Sequence, residues 1–161
     1  MSEPSIRVLV VEDYESWRRY FSKLLPKNEG LQVVGEVSDG LEAIQKAEEL
    51  QPDLILLDIG LPRLNGIEAA RRIRRVSPAS KILFVSENRS ADVAEEALNT
   101  GAGGYVMKSD AESELLPGIR AVLDGKRFIS ASLAGHFLVA TTLSTTQTIV
   151  SSIVMLISGI Y

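Results

Sequence analysis

The chain has 161 residues, of which 45% are hydrophobic, and a formal net charge of −4, which fits one ordinary globular domain. It contains no cysteine and a single histidine, which excludes disulfide frameworks, thiolate nucleophiles and multi-histidine metal sites. The acidic balance argues against a broad basic surface for duplex DNA. No basic region followed by an apolar stretch opens the sequence, so we expect a cytoplasmic protein.

Charge divides the chain into two parts. Every charged residue lies before residue 128, and the remaining stretch is rich in Ser, Thr, Ile, Leu and Val. We therefore predict a domain over residues 1–127 and a separate uncharged tail over residues 128–161.

The first half of the predicted domain alternates apolar runs with amphipathic stretches. Asp13 is expected to cap the first helix, whose buried face carries Trp17 and Phe21. The predicted elements in chain order are a strand at Ile6–Val11, the helix after Asp13, a strand at Leu31–Val37, a helix after Gly40 and a strand at Leu54–Leu57.

The second half continues the same alternation. Its predicted elements are a helix at Gly66–Val76, a strand at Lys81–Val85, a helix at Ala91–Thr100, a strand at Tyr105–Met107 and a helix at Asp110–Leu123. Pro117 is expected to disturb the middle of the last helix. The arginines of residues 66–76 are expected to form a solvated helix face rather than a nucleic-acid site.

This alternation of five strands and five helices predicts an α/β fold with a doubly wound parallel sheet and helices on both of its faces. The crossovers between parallel strands are expected to be right-handed. Open sheets of this kind bind their ligands beyond the carboxyl ends of the strands.

Polar residues follow the predicted strands at those ends. Glu12 and Asp13 follow the first strand, Asp58 the third, Ser86 the fourth and Lys108 the fifth. Three crowded carboxylates raise the pKa of at least one of them unless a cation intervenes. Oxygen ligands without histidine or cysteine favour a hard cation, and Mg²⁺ is the one we expect. A lysine and a serine in the same cleft can bind an anion.

Four motifs, in order and each closing a predicted strand, resemble the response-regulator receiver domain of two-component signalling. They are Val-Val-Glu-Asp at 10–13, Leu-Leu-Asp-Ile-Gly-Leu-Pro at 56–62 with Asn-Gly at 65–66, Phe-Val-Ser at 84–86 and Gly-Tyr-Val-Met-Lys at 104–108. The resemblance covers about residues 6–127. It implies a flavodoxin-like sheet of five strands in the order 2-1-3-4-5.

The resemblance also implies a chemistry. Asp58 would accept a phosphoryl group from a sensor histidine kinase or phosphotransfer protein, and Lys108 would neutralise charge on the moving oxygens. Asp13 and Asp58 would bind Mg²⁺ through carboxylates, Gly60 through its carbonyl, and Glu12 directly or through water. We expect a signalling phosphoacceptor rather than a conventional enzyme, because the only reactions implied are its own phosphorylation and dephosphorylation.

A conformational switch is part of what the resemblance implies. Ser86 would hydrogen-bond the phosphoryl oxygen, and Tyr105 would then rotate from an exposed to a buried position. Pro62 and Gly66 would shape the loop after Asp58. Phosphorylation could also promote a homodimer, through the fourth and fifth helices or through the first and fifth.

Two positions depart from the commonest family pattern. Glu87 follows Ser86 where a small residue is frequent, and Gly60 offers no side chain two residues after Asp58. We hypothesise that these two residues tune the lifetime of the phosphoryl group.

Three other functions fit parts of the pattern. A phosphorylation-independent interaction module could keep this fold, although such modules usually lose one of the acidic, serine or lysine residues. A flavin-binding flavodoxin-like protein would need a phosphate cradle after the first strand, where this chain has Glu12-Asp13-Tyr14-Glu15. An aspartyl-phosphate phosphohydrolase would need a second acid at the position of Gly60.

The tail leaves several roles open. Similar receivers with Gly-Lys-Arg-Phe-Ile-Ser, here at 125–130, often continue into a helix-turn-helix domain, but residues 128–161 are too few for one. Direct DNA binding by this chain is therefore not expected. Residues 137–161 could pack on the receiver or on a second copy, could be a remnant without function, or, less favoured, could associate with a membrane.

Overall fold

The computed structural model describes residues 5–28 and 30–135. The chain divides into two units, residues 1–130 and residues 131–161, and residues 131–135 of the second are helical. The elements of the first unit are β1 Ile6–Val11, α1 Glu15–Leu24, β2 Leu31–Val37, α2 Gly40–Leu50, β3 Leu54–Leu57, α3 Gly66–Val76, β4 Lys81–Ser86, α4 Ala91–Leu98, β5 Gly104–Met107, α5 Ala111–Leu123 and β6 Phe128–Ile129. Short 3-10 turns occupy Leu25–Lys27 and Lys108–Asp110.

The strands of the described residues form one parallel sheet with the order β2-β1-β3-β4-β5-β6. The predicted order of the first five strands is confirmed, but the predicted number is wrong because β6 adds a sixth. Phe128 and Ile129 of β6 pair with Gly104 and Tyr105 of β5. A two-residue strand shows no periodicity, and this one lies beyond the last charged residue, where the sequence pattern changes.

Both faces of the sheet are buried, as a parallel sheet requires. On one face, Val8, Leu56 and Val106 pack with side chains of α1 and α5, including Phe21 and Ile119. The strand residues that alternate with these point to the opposite face. Those alternate residues, which include Leu9, Ile55 and Phe84, are equally inaccessible, and α2, α3 and α4 contribute buried alanines and isoleucines.

The sixth strand packs against a glycine of α5. A Cβ atom at Gly118 would lie 3.1 Å from Cδ1 of Phe128 and 3.2 Å from Cγ2 of Val106. A Cβ atom at Gly104 would lie 2.5 Å from the carbonyl oxygen of Phe128. These two glycines therefore provide the space in which β6 joins the sheet.

Two local predictions are wrong. Asp13 does not cap α1, because its carboxylate lies with the other acids at the end of β1. Tyr14 occupies the N-cap position instead, without a side-chain hydrogen bond. Pro117 does not interrupt α5, which is continuous from Ala111 to Leu123. Proline has no backbone N–H, so the carbonyl of Ser113, one turn earlier, loses its helical hydrogen-bond donor. Both residues are exposed, so water can donate to that carbonyl instead.

None of the helices in the described part of the chain has the length and hydropathy needed to cross a bilayer. The sequence-based alternatives for residues 137–161 concern a segment outside the described residues.

Candidate functional site

The carboxyl ends of β1, β3, β4 and β5 border an open cleft of about 440 Å³. Parallel strands end at the same edge of a sheet, so the residues that follow them become neighbours even when they are far apart in sequence. The residues that line the cleft are Asp13, Tyr14, Asp58, Ile59, Gly60, Ser86, Glu87, Asn88 and Lys108.

Three carboxylates lie together beside this cleft, and two of them, those of Asp13 and Asp58, line it. Glu12, Asp13 and Asp58 each place a carboxylate oxygen within 4.8 Å of the others. The strand register explains the proximity, since Val11 at the end of β1 pairs with Leu57 at the end of β3. Glu12 and Asp58 are buried, whereas Asp13 is exposed to the cleft.

A single buried ammonium group faces two of these acids. Lys108 directly follows β5, and its side chain is only 5% exposed. Its Nζ atom lies 2.7 Å from Oε2 of Glu12 and 3.3 Å from Oδ2 of Asp58. The fold thus brings together four of the residues that the sequence placed at strand ends.

The pKa values of these groups reflect the crowding. Burial raises the pKa of Glu12 to about 7; the Asp58 carboxylate adds to the rise, and Lys108 opposes it. Burial likewise raises the pKa of Asp58, with Lys108 acting in the opposite direction. Burial disfavours the charged form of Lys108, but its two carboxylate partners outweigh this and raise the pKa of the lysine.

The donor set fits a hard divalent cation. Oε2 of Glu12 is buried and makes no hydrogen bond of good geometry, although the ammonium of Lys108 is close enough for an ion pair. The cluster holds three carboxylates and one ammonium group, so it carries excess negative charge when ionised. Oxygen-only ligands of this kind suit Mg²⁺ better than a softer transition metal.

The loop after β3 fixes the backbone of Asp58. The N–H of Ile59 donates to Oδ1 of Asp58 over 2.8 Å, which leaves Oδ2 facing Lys108. The N–H of Gly66 donates to the carbonyl of Ile59 over 2.8 Å. A Cβ atom at Gly66 would collide with the carbonyl oxygen of Asp58, so this close approach requires glycine.

Pro62 and Gly60 occupy different parts of the same loop. The carbonyl of Pro62 accepts from the N–H groups of Gly40 and Leu64, over 3.3 Å and 2.8 Å, which ties the loop to the start of α2. Gly60 is exposed and lines the cleft, and a Cβ atom there would meet nothing within 4 Å.

The opposite wall of the cleft contains Ser86 and a residue that the sequence analysis missed. Oγ of Ser86 accepts from the N–H of Asn88 over 3.0 Å. The hydroxyl of Tyr105 donates to the carbonyl of Asn88 over 2.7 Å, and its ring is fully buried. Tyr105 is thus already in the inward position, so the structure does not show the exposed position from which the predicted rotation starts. The position of Asn88, two residues after Ser86, was the only signal for its role.

The fold is a flavodoxin-like α/β fold, in which three carboxylates and one lysine lie together at the carboxyl ends of the strands. A family model described as "Response regulator receiver domain" matches residues 8–120. The chain therefore belongs to the response regulator receiver domain family, the phosphoacceptor modules of two-component signalling.

Curated relatives are longer proteins of the same kind. The chain is 38% identical over 129 residues to the response regulator GacA of Pseudomonas viridiflava, which covers 80% of this chain and 60% of the relative. It is 33% identical over 129 residues to the response regulator UvrY of Escherichia coli (strain K12), with 80% and 59% covered. The chain thus spans about three fifths of the length of these relatives.

Solved structures show the same fold. A two-component response regulator of the LuxR family from Aurantimonas sp. SI85-9A1 superimposes with a TM-score of 0.81 at 33% identity, over 86% of this chain and 99% of that one. The response regulator domain of Thermotoga maritima CheB gives a TM-score of 0.70 at 36% identity, over 74% and 97%.

Proposed function

We propose that this receiver accepts a phosphoryl group on Asp58, in a Mg²⁺-dependent reaction, from a histidine kinase or phosphotransfer protein. The observation that carries the proposal is the surroundings of Asp58. Its carboxylate lies 3.3 Å from the ammonium of Lys108 and within 4.8 Å of the Glu12 and Asp13 carboxylates, at the base of an open cleft.

The reaction is a displacement at phosphorus. A carboxylate oxygen of Asp58 attacks the phosphorus atom, the bond from phosphorus to the histidine nitrogen breaks, and the bonding electron pair goes to the imidazole. The transition state needs in-line positioning and neutralisation of charge on the phosphoryl oxygens. Lys108 provides a positive charge beside Asp58, and the hydrogen bond from the N–H of Ile59 to Oδ1 limits rotation of the attacking carboxylate.

Mg²⁺ supplies the remaining charge neutralisation when it is bound. Asp13, Asp58 and Glu12 would hold it, with Glu12 acting directly or through water, and the Gly60 carbonyl is the backbone ligand that the family pattern implies. The buried Oε2 atom of Glu12, which makes no hydrogen bond of good geometry, supports a cation at this position, because a cation would favour the ionised carboxylate that burial disfavours.

Phosphorylation would act by changing the conformation of the cleft wall that contains Ser86. Ser86 would exchange its hydrogen bond from Asn88 for one to the phosphoryl group, which would move the loop that also holds the Tyr105 hydroxyl. A local change of charge of this kind can shift the equilibrium between two conformations of the protein surface. Rotation of Tyr105 stays a prediction, and Glu87, exposed in the same wall, is placed to affect phosphoryl lifetime.

We also propose that the chain acts only on its own phosphoryl group and does not process other substrates. Gly60 stands where a phosphohydrolase of the related type needs a second acid. Because phosphohistidine donors are made from ATP inside the cell, we place the reaction in the cytoplasm. The excess of acidic over basic residues supports the further proposal that this chain alone does not bind DNA.

The test is phosphorylation by acetyl phosphate followed by intact mass measurement. We expect the chain to gain one phosphoryl group with Mg²⁺ and none with excess chelator. Asp58→Asn should abolish the gain. Asp53→Asn, which changes an exposed aspartate at the other end of β3, should leave it intact. Equal modification of the Asp58→Asn variant would contradict the proposal, as would an unmodified wild type.

A further inference from the structure

Trp17 lies next to the lysine of the site. This half-buried residue of α1 places its indole centroid 5.3 Å from Nζ of Lys108. Its ring contacts the ring of buried Phe21 at 5.7 Å and that of Tyr20, edge to face, at 5.7 Å. The indole is therefore held on the inner side by the core and presents a fixed face to the ammonium.

The indole is a third neighbour of the ammonium group, beside its two carboxylate partners. An ammonium has three donors. Its carboxylate partners are Glu12 and Asp58, and the Trp17 ring is a further group close to Nζ. Attraction between a cation and an aromatic face is strongest for tryptophan and grows when water is excluded. The lysine side chain is only 5% exposed, so little water weakens the attraction here.

The side chain of Lys108 also borders a second open space, away from the carboxylates. A groove of about 550 Å³ between α1 and the start of α5 is lined by Trp17, Lys108 and the exposed acid Glu112, among others. The long, flexible side chain of a lysine could turn into such a groove and pair with a carboxylate there. An attraction on the inner side of the groove opposes that movement.

We propose that Trp17 is a positioning residue that holds the ammonium of Lys108 beside the phosphoacceptor. This role rests on the proposed function. Glu12 and Asp58 belong to the set that would hold Mg²⁺, so their charge would be shared with the ion during the reaction. The indole is not a metal ligand and bears no charge, so its attraction for Lys108 does not depend on the state of the carboxylates.

The contact itself is tested by urea unfolding of the chain and of Trp17→Leu, Lys108→Met and the double variant. We expect the two substitutions to be coupled by about three- to tenfold in the unfolding equilibrium constant. The matched cycle with Phe128→Leu, which removes an aromatic ring from β6, should show less than about twofold coupling to Lys108→Met. Equal coupling in both cycles, or none in the first, would overturn the proposal.

The positioning role is tested by the rate of phosphorylation by acetyl phosphate. Trp17→Leu should lower the rate about three- to tenfold, whereas Trp17→Phe should restore it to within about twofold, because phenylalanine keeps an aromatic face. Phe128→Leu should leave it unchanged. A Trp17→Phe rate as low as that of Trp17→Leu, or a Trp17→Leu rate equal to wild type, would overturn the role.

The two measurements separate the claims. If the wild type accepts no phosphoryl group, the proposed function and the positioning role both fail, but the unfolding cycle still decides whether the contact exists. If the wild type is phosphorylated and the cycle shows no coupling, only the inference about Trp17 fails.

Discussion

Glu12 is the residue at which burial and charge conflict most strongly. It is 1% exposed, it lies near two other carboxylates, and its pKa is raised to about 7. Burial and the Asp58 carboxylate disfavour the ionised form of Glu12 more than the nearby ammonium of Lys108 favours it. The burial of Glu12 among other acids therefore favours cation binding and also makes the stability of the metal-free protein depend on pH.

That sensitivity has a definite sign. Between its ordinary pKa of 4.5 and about 7, Glu12 keeps its proton in the folded chain but loses it in the unfolded chain. The folded state then binds more protons, so the free energy of unfolding falls as pH rises, by up to about 1.4 kcal/mol per pH unit for one proton. Urea unfolding with a chelator across this window measures the effect.

Glu12→Gln is the control for this prediction, because glutamine keeps the shape but does not titrate. The variant should show a shallower decline of stability with pH than the wild type does. Parallel pH profiles for the two proteins would contradict the raised pKa of Glu12.

Among the elements, β6 and α5 depend on each other through Gly118 and Phe128. Glycine in a helix interior usually costs about 1 kcal/mol relative to alanine. Here the Cβ of an alanine would approach the Phe128 ring to 3.1 Å, which explains why this helix position holds a glycine.

The prediction is a conditional effect of Gly118→Ala. In the wild type the substitution should raise the free energy of unfolding by less than helix propensity alone predicts, because the Phe128 ring must move aside. In a Phe128→Ala background it should stabilise the protein more, by up to about 1 kcal/mol, because only the close contact with Cγ2 of Val106 remains. Denaturant midpoints of the four chains give the comparison, and an equal gain in both backgrounds would show that the contact has no energetic effect.

Most of these elements could be predicted from the sequence because their signals are local. The bounds predicted for Ile6–Val11, Leu31–Val37, Leu54–Leu57 and Gly66–Val76 are confirmed. β6 could not be predicted, since two residues become a strand only when β5 offers them an edge. The capping error at Asp13 has a similar cause: a long-range carboxylate cluster competes with a local helix cap.

On the scale of the whole molecule, one acidic and one basic cluster lie at opposite ends of the strands. The carboxylate cluster lies at the carboxyl ends of the strands, and a depression of about 260 Å³ near the amino ends of β4 and β5 is lined by four basic residues, Arg74, Lys81, Lys126 and Arg127. Arg74 lies in the last turn of α3, and Lys126 and Arg127 follow α5; positive charge is favourable at helix carboxyl ends. The resulting field attracts cations to the acidic end.

Mg²⁺ should therefore stabilise the folded chain. The free energy of unfolding should rise with the logarithm of Mg²⁺ concentration once the site begins to fill, because the ion binds the folded state preferentially. Asp13→Asn should weaken this dependence, whereas Lys126→Ala, at the opposite end, should preserve it. Thermal unfolding across a Mg²⁺ titration is the measurement, and an equal response in the Asp13→Asn variant would exclude Asp13 as a ligand.

The site as a whole was predictable only in part. Strand ends converge in any parallel sheet, so Glu12, Asp13, Asp58 and Lys108 could be placed together from the sequence. The contact between Trp17 and Lys108 could not be predicted, because the helical pattern assigns Trp17 to the core and does not show which side chain meets its outer face. Asn88 was missed because it acts partly through its backbone.

The most direct test of the account is to locate the phosphoryl group. Borohydride reduces an aspartyl phosphate to homoserine, so the chain would be phosphorylated with acetyl phosphate and Mg²⁺, reduced, digested and sequenced by mass spectrometry. We predict homoserine at position 58, and none there when the phosphate donor is omitted. Homoserine at position 13 instead, or unmodified aspartate at both positions in a chain that had gained a phosphoryl group, would contradict the assignment of Asp58 as the phosphoacceptor.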